Sequence, residues 1–260
     1  MKWLIPLAAV VSLSAQAQSF TANPTKACSE LTQANNSQVL VIAAEGRGEY
    51  DDAHANSIFN YVSARKSGVD ASDLPRRLGK TGILTDGLMF PLAHDFGDRI
   101  DIVSFDLEST DPQPFDNAMS CAKLWMSDSS HKLILIGHSH GASRVVNMAI
   151  MLFQAGVDVN TVVTVDALPA DGGTISRPPG VTTYLNFYQT KDMSQGGGLF
   201  GGLFSHFIYR GQAVDHADNA DQLVTDIDGH FTIPGSPTVI AAVKAQFAKL
   251  VGPAQVASAQ

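Results

Sequence analysis

The sequence predicts an α/β protein, a doubly wound and mostly parallel sheet with helices on both faces. Three observations carry this. Several short runs are apolar throughout rather than alternating, which suits strands buried on both faces. Segments with helical spacing fall between those runs, and such alternation implies right-handed crossovers. One junction, Lys132 to Val146 (KLILIGHSHGASRVV), passes from an apolar run through a glycine-bracketed turn into a helical pattern.

Taken in order, Ser37 to Ala44 (SQVLVIAA) is the first expected strand and ends at Glu45-Gly46-Arg47-Gly48. Asn56 to Ala64 (NSIFNYVSA) is the best helix candidate before Asp98. Ile100 to Phe105 gives a second strand, and Asp116 to Ser127 a helix with Met119, Ala122, Leu124 and Trp125 near helical spacing. Leu133 to Ile136 is the third strand. A helix over Gly141 to Gln154 follows, with Gly156 placed to end it in a left-handed conformation. Thr161 to Val165 and Val181 to Tyr188 are the fourth and fifth strands, and Phe207 to Tyr209 is a weaker sixth. Pro237 to Leu250 closes the series as an amphipathic helix.

With 260 residues, 45% hydrophobic and 16% charged, the chain has ordinary composition for one α/β domain. Residues 1–17 read as an export signal, with Lys2, the short apolar run Leu4 to Leu13, and Ala15-Gln16-Ala17 as a small-residue cleavage site. Residues 18–260 then form a single domain, periplasmic or secreted. That run is too short to span a bilayer comfortably, and no later segment has about 18 uninterrupted apolar residues, so no stable membrane insertion is expected. A net charge of −8, with no basic cluster beyond Arg76-Arg77, argues against a nucleic-acid partner. In an oxidising compartment the two cysteines, Cys28 and Cys121, would pair and stabilise the fold by roughly 4–5 kcal/mol. The alternative is two buried thiols. Oligomeric state is not legible in the chain.

Gly-His-Ser-His-Gly at 137–141 has the G-x-S-x-G pattern. Composition alone produces such a match roughly 0.1–0.2 times in a chain this long, so the setting must decide. Here the pattern lies between a buried strand and an amphipathic helix, where a sharp turn presents a serine at the carboxyl end of a parallel sheet. Ser139 is the candidate nucleophile. The N–H of His140, at the start of the helix, is a candidate oxyanion donor.

The stretch LILIGHSHGAS resembles the nucleophile elbow of the α/β-hydrolase superfamily, in particular its lipase and esterase branches. The resemblance follows element order from Ser37 to Leu250, and only the elbow is specific as a motif. It implies a serine hydrolase with its triad in chain order serine, acid, histidine, needing no metal or organic cofactor. The expected function is cleavage of carboxylic esters through an acyl-enzyme on Ser139, acting on a small-molecule or lipid ester. An amidase, peptidase or thioesterase could use the same triad, and a noncatalytic binding protein could keep the same fold.

A serine needs an adjacent base. His138 and His140 flank Ser139, and neighbours in a sharp turn point away from its hydroxyl. His54, His94 and His131 precede the elbow, and His206 lies in a glycine-rich segment. His230 (DGHFTIPGS) shortly precedes the last helix, where the resemblance places the base; His216 is the alternative. Two aspartates follow strands after the elbow. Asp166 closes TVVTVDALP, and Asp192 follows VTTYLNFYQTK. The end of a strand is the more rigid holder, which favours Asp166, although an aspartate there could instead cap a helix.

The second oxyanion donor is expected from Gly46 or Arg47. Alternatively, Glu45 and Arg47 form a turn with its own salt bridge. Gln195 to Phe207 (QGGGLFGGLFSHF) reads either as a mobile apolar lip beside the site or as a crossover docked on the body.

Overall fold

The computed structural model describes residues 37–46, 82–105, 113–168, 175–189, 221–226 and 229–252. The export signal, Cys28, Arg47, His54, the 56–64 helix candidate, Asp192, segment 195–207 with His206, strand candidate Phe207 to Tyr209 and His216 lie outside the described residues.

Among the described residues, six strands form one sheet: β1 (Val39–Ala44), β2 (Ile100–Phe105), β3 (Lys132–His138), β4 (Val159–Val165), β5 (Val181–Tyr188) and β6 (Asp221–Leu223). Their order is β2-β1-β3-β4-β5-β6. Every neighbouring pair is parallel, so all carboxyl ends share one edge. The sixth strand is Asp221–Leu223, a three-residue polar-led segment with no apolar run to announce it.

Successive residues of β1 serve opposite cores, as strand pleating requires. Leu40, Ile42 and Ala44 face one cluster with helices α2 (Gln113–Trp125) and α3 (Ser139–Gln154). Val39, Val41 and Ala43 face the other, with helix α1 (Phe90–Phe96) and α4 (Pro237–Val251). Both faces of the sheet are therefore covered, and the continuous apolar runs are explained. Each large aliphatic side chain sealed this way contributes about 1.5–3 kcal/mol of burial.

Helix α1 continues without a break from a π-helical turn, Thr85–Met89. There the Phe90 N–H reaches back five residues to the Thr85 carbonyl. Helix α3 ends before Gly156, whose φ of 78° matches the left-handed exit expected from the sequence. Of the cysteines, Cys121, on α2, is buried in the core cluster shared with α3.

The last helix is tied at both ends. Ser236 caps it, its hydroxyl accepting from the N–H groups of Thr238 (3.1 Å) and Val239 (3.4 Å). That hydroxyl donates to Asp226 at 2.7 Å. The Ser236 bond, with help from Thr238, holds the Asp226 carboxyl below its ordinary value. At the far end Arg99 donates to the carbonyls of Val251 (3.4 Å) and Gly252 (3.2 Å). Mid-helix, Gln246 reaches into the sheet and donates to the Thr161 hydroxyl at 3.0 Å.

Replacing Ser236 with alanine removes the cap and is expected to lower unfolding stability by about 1 kcal/mol in urea titrations at neutral pH. A carboxyl held low in the folded state stabilises above its unfolded pKa and loses that contribution as pH falls through the folded value. The Asp226 part of the difference between wild type and variant should therefore fade below the ordinary carboxyl value of 3.8.

Candidate active site

The site begins where β3 stops. His138 is extended (φ −114°, ψ 144°), and Ser139 turns into the left-handed region at φ 55°. Helix α3 starts at that residue. The flanking glycines are required by space. A side chain at Gly137 would lie 2.5 Å from the Ala142 Cα. One at Gly141 would strike the carbonyl oxygens of Glu45 and Ala44. The elbow helix thus sits directly on the end of β1.

One strand over, Asp166 also has a left-handed backbone, at φ 47°. Ser139 and Asp166 are the only non-glycine residues with positive φ among the described residues. Such conformations cost about 1–3 kcal/mol each and persist only when surrounding structure enforces them. Here the enforcement is visible. The Asp166 N–H donates to the Phe187 carbonyl at 2.6 Å, and the Leu168 N–H donates to the Ser139 carbonyl at 3.1 Å. The Ser143 hydroxyl, on α3, donates to the Leu168 carbonyl at 2.5 Å. The two strained turns are stitched to each other through Leu168.

The Asp166 carboxyl is sealed from solvent, and three N–H donors meet it among the described residues. The Gln189 backbone N–H lies 3.2 Å from Oδ1, and the Gln189 side-chain amide 3.0 Å from Oδ2. The third donor is His230 Nδ1, 2.6 Å from Oδ2. Its oxygens thus meet the end of β5 and the His230 loop. With Nδ1 donating to Asp166, a neutral His230 ring carries its lone pair on Nε2, the nitrogen a general base uses.

His230 stands in a tight turn, closed by the Thr232 N–H on the Gly229 carbonyl (3.1 Å) and by the Thr232 hydroxyl on the same carbonyl (3.0 Å). A short 3-10 turn, Ile233–Gly235, leads from there into α4. The His138 Nε2 donates to the His230 carbonyl at 3.0 Å. The two imidazoles stack with centroids 4.5 Å apart and planes tilted by 31°. Phe231 meets the His230 ring edge-on at 5.2 Å.

Glu45 has a role the sequence did not indicate. Its buried carboxylate accepts the N–H groups of Leu84 and Thr85, each at 2.7 Å. It thereby caps the helical segment that runs into α1, a charge-assisted arrangement favoured at helix starts. Gly46 is buried beside it. His140 is the second residue of α3 and half-buried. Two other histidines sit apart: His94 is exposed and pairs with Asp95 at 2.9 Å, and His131 stacks on Trp125 at 4.1 Å.

The structure therefore brings Asp166 and His230 into direct contact and sets His230 against the residue preceding Ser139. His138 and Gln189 complete the contacts around the Asp166–His230 pair, and the sequence assigned neither a place there. His138 was legible only as a flank of the serine. Gln189 carries no motif, and its one signal is its place just past the end of β5. Among the described residues, no group of three or more His, Cys, Asp or Glu is placed to hold a metal. No described helix is long and apolar enough to cross a membrane.

A parallel sheet in this strand order, with a left-handed serine after β3, an aspartate after β4 and a histidine before the last helix, is an α/β-hydrolase-like fold. No family model and no curated protein matches the chain. Among solved structures, an esterase from Pyrobaculum calidifontis is similar at 15% identity, covering 84% of this chain and 78% of that one, with a TM-score of 0.42. A protein of unknown function from Agrobacterium tumefaciens is similar at 14% identity, over 84% and 93% of the two chains, with a TM-score of 0.34. YahD, solved with malic acid, gives 13% identity over 84% and 95%, with a TM-score of 0.34. Likeness at this level carries no argument about chemistry; the fold stands on strand order and register.

Replacing Gln189 with leucine withdraws a donor from a sealed carboxyl group. The expected loss is about 1–3 kcal/mol of unfolding stability, read by urea denaturation.

Proposed function

We propose that the chain is an exported serine hydrolase that cleaves carboxylic esters through an acyl-enzyme on Ser139, with His230 as base and Asp166 as the acid that orients it. The observation that carries this reading is the 2.6 Å contact between His230 Nδ1 and Asp166, beside a serine held at positive φ. Two backbone distortions and a buried Asp–His pair at one edge of the sheet are expensive as scaffolding. They make sense as preorganised chemistry.

In the proposed reaction the Ser139 hydroxyl oxygen attacks the ester carbonyl carbon while its proton passes to His230 Nε2. The carbonyl oxygen takes up negative charge. Backbone N–H groups of His140 and of the segment after β1, at Gly46 or Arg47, stabilise it. Collapse breaks the bond to the alcohol oxygen, which takes the proton from His230 as it leaves. Water then repeats the sequence. It loses a proton to His230 and attacks the acyl carbon; collapse breaks the bond to Ser139 Oγ, which takes that proton back as the acid leaves. Asp166 steadies the imidazolium in both halves and takes no proton itself.

Export rests on the segment before residue 18, and with it the periplasmic or secreted location and the Cys28–Cys121 bridge. Amides and thioesters are the competing substrates for the same residues. A noncatalytic binding protein is the competing reading of the fold.

A fluorophosphonate probe is expected to label the wild-type protein at Ser139 and to leave Ser139→Ala unlabelled. Absence of labelling in folded wild type would favour the binding reading. With p-nitrophenyl esters, Asp166→Asn should lower kcat by about 10³- to 10⁴-fold while the protein stays folded. Asp192→Asn should leave kcat near wild type; the reverse order would transfer the acid role to Asp192.

A further inference from the structure

The hydrolase reading gives no task to the first histidine of Gly-His-Ser-His-Gly, yet that side chain is 0% exposed and touches the proposed base twice. We infer that His138 is a positioning residue for His230, fixing the main chain of the base by a hydrogen bond and the plane of its ring by stacking. This rests on His230 being the base.

Among the described residues, three contacts restrain the His230 ring, and they are not equivalent. Asp166 fixes Nδ1 and so sets the direction in which Nε2 points. That single bond leaves the ring able to rotate about the Nδ1–Oδ2 line. The His138 face, stacked at 4.5 Å, opposes that rotation from one side, and Phe231 restrains an edge at 5.2 Å. The peptide remains to be held. His230 belongs to a tight turn rather than to a helix or strand, so the sheet does not set the height of its backbone above Ser139. The bond from His138 Nε2 to the His230 carbonyl supplies that link. It joins the base to the residue immediately before the nucleophile. Drift of the loop would therefore carry His138 along and disturb both partners together.

The choice of imidazole follows from these two demands. Phenylalanine could provide the face but no donor. Glutamine could provide a donor at similar reach but no ring. Because the partner is a carbonyl, which only accepts, Nε2 of His138 must carry hydrogen. The neutral ring then has its lone pair on Nδ1. Its electron-rich face lies against a ring that becomes cationic during turnover, an attractive arrangement for a neutral aromatic and a repulsive one for a second cation.

The test compares wild type with His138→Gln and His138→Phe. Fluorophosphonate labelling of Ser139 and steady-state hydrolysis of p-nitrophenyl acetate are measured on protein with a wild-type unfolding midpoint. His138→Phe is expected to slow labelling and kcat by about 10- to 100-fold with KM within about twofold of wild type. His138→Gln should recover part of the rate, because it restores the donor. Equal rates for all three proteins would overturn the proposal, as would a glutamine variant no faster than the phenylalanine one. Wild-type protein that does not label would sink the hydrolase reading itself. Positioning is then judged without turnover, on wild-type protein with ¹⁵N-labelled histidine. At neutral pH His138 should appear as the neutral ring protonated at Nε2. Protonation at Nδ1 alone would overturn the proposal whether or not the variants fold.

Discussion

A carboxyl group kept from water must find all its partners inside the protein, and at Asp166 this requirement organises the surrounding structure. Among the described residues, three donors reach it from two places: the residue just past β5 and the loop ahead of the last helix. Leaving such a group short of partners costs more than any one of these bonds contributes. The register between β4 and β5, with Val165 opposite Phe187, sets the ends of those strands side by side. That alignment brings Gln189 to Asp166. The histidine loop then has one place where it can close.

The two left-handed residues belong to the same solution. Ser139 and Asp166 end adjacent strands, and each needs its neighbour to stay bent. Leu168 joins them, with its N–H on the Ser139 carbonyl and its own carbonyl held by Ser143. Strain at one turn is therefore held in place by the other. On the far side of the elbow, Gly141 packs on the carbonyls of Ala44 and Glu45, which brings the end of β1 against the start of α3. Three neighbouring strand ends thus meet around one serine.

Much of this was legible in the sequence. Continuous apolar runs such as VLVIAA and LILI mark strands that must be covered on both faces, and the two clusters flanking β1 explain why no polar alternation occurs. The elbow was legible because its motif is contiguous: Gly137 is demanded by Ala142 a few residues on, although Gly141 answers to the distant carbonyls of Ala44 and Glu45. Asp166 and His230 were candidates by position alone, since a contact across 64 residues leaves no local trace. Gln189 and His138 illustrate the limit. Glutamine beyond a strand has no signature, and a histidine beside a serine gives no hint that its partner is a backbone carbonyl 92 residues away. Glu45 shows the same limit: nothing near it in the chain indicates that its carboxylate meets a helix start 39 and 40 residues downstream. Strand β6, three residues with a polar start, is too short for hydropathy to register.

The π-helical turn at Thr85–Met89 sits between two of these demands. On one side the first N–H groups of the segment must meet Glu45. On the other, Gly87 lies close against Pro234 and Gly235, just after the histidine turn. A regular α-helix advances about 100° per residue, so the wider turn acts as an angular spacer, letting one rod satisfy two docking directions that a uniform pitch would set against each other. Shortening that turn by one residue would leave the rod intact and swing its first turn away from Glu45 by about 100°. The length of this segment is thus fixed by geometry at both ends, and so is the glycine at its centre, since a side chain at Gly87 would lie 2.8 Å from the Gly235 backbone nitrogen.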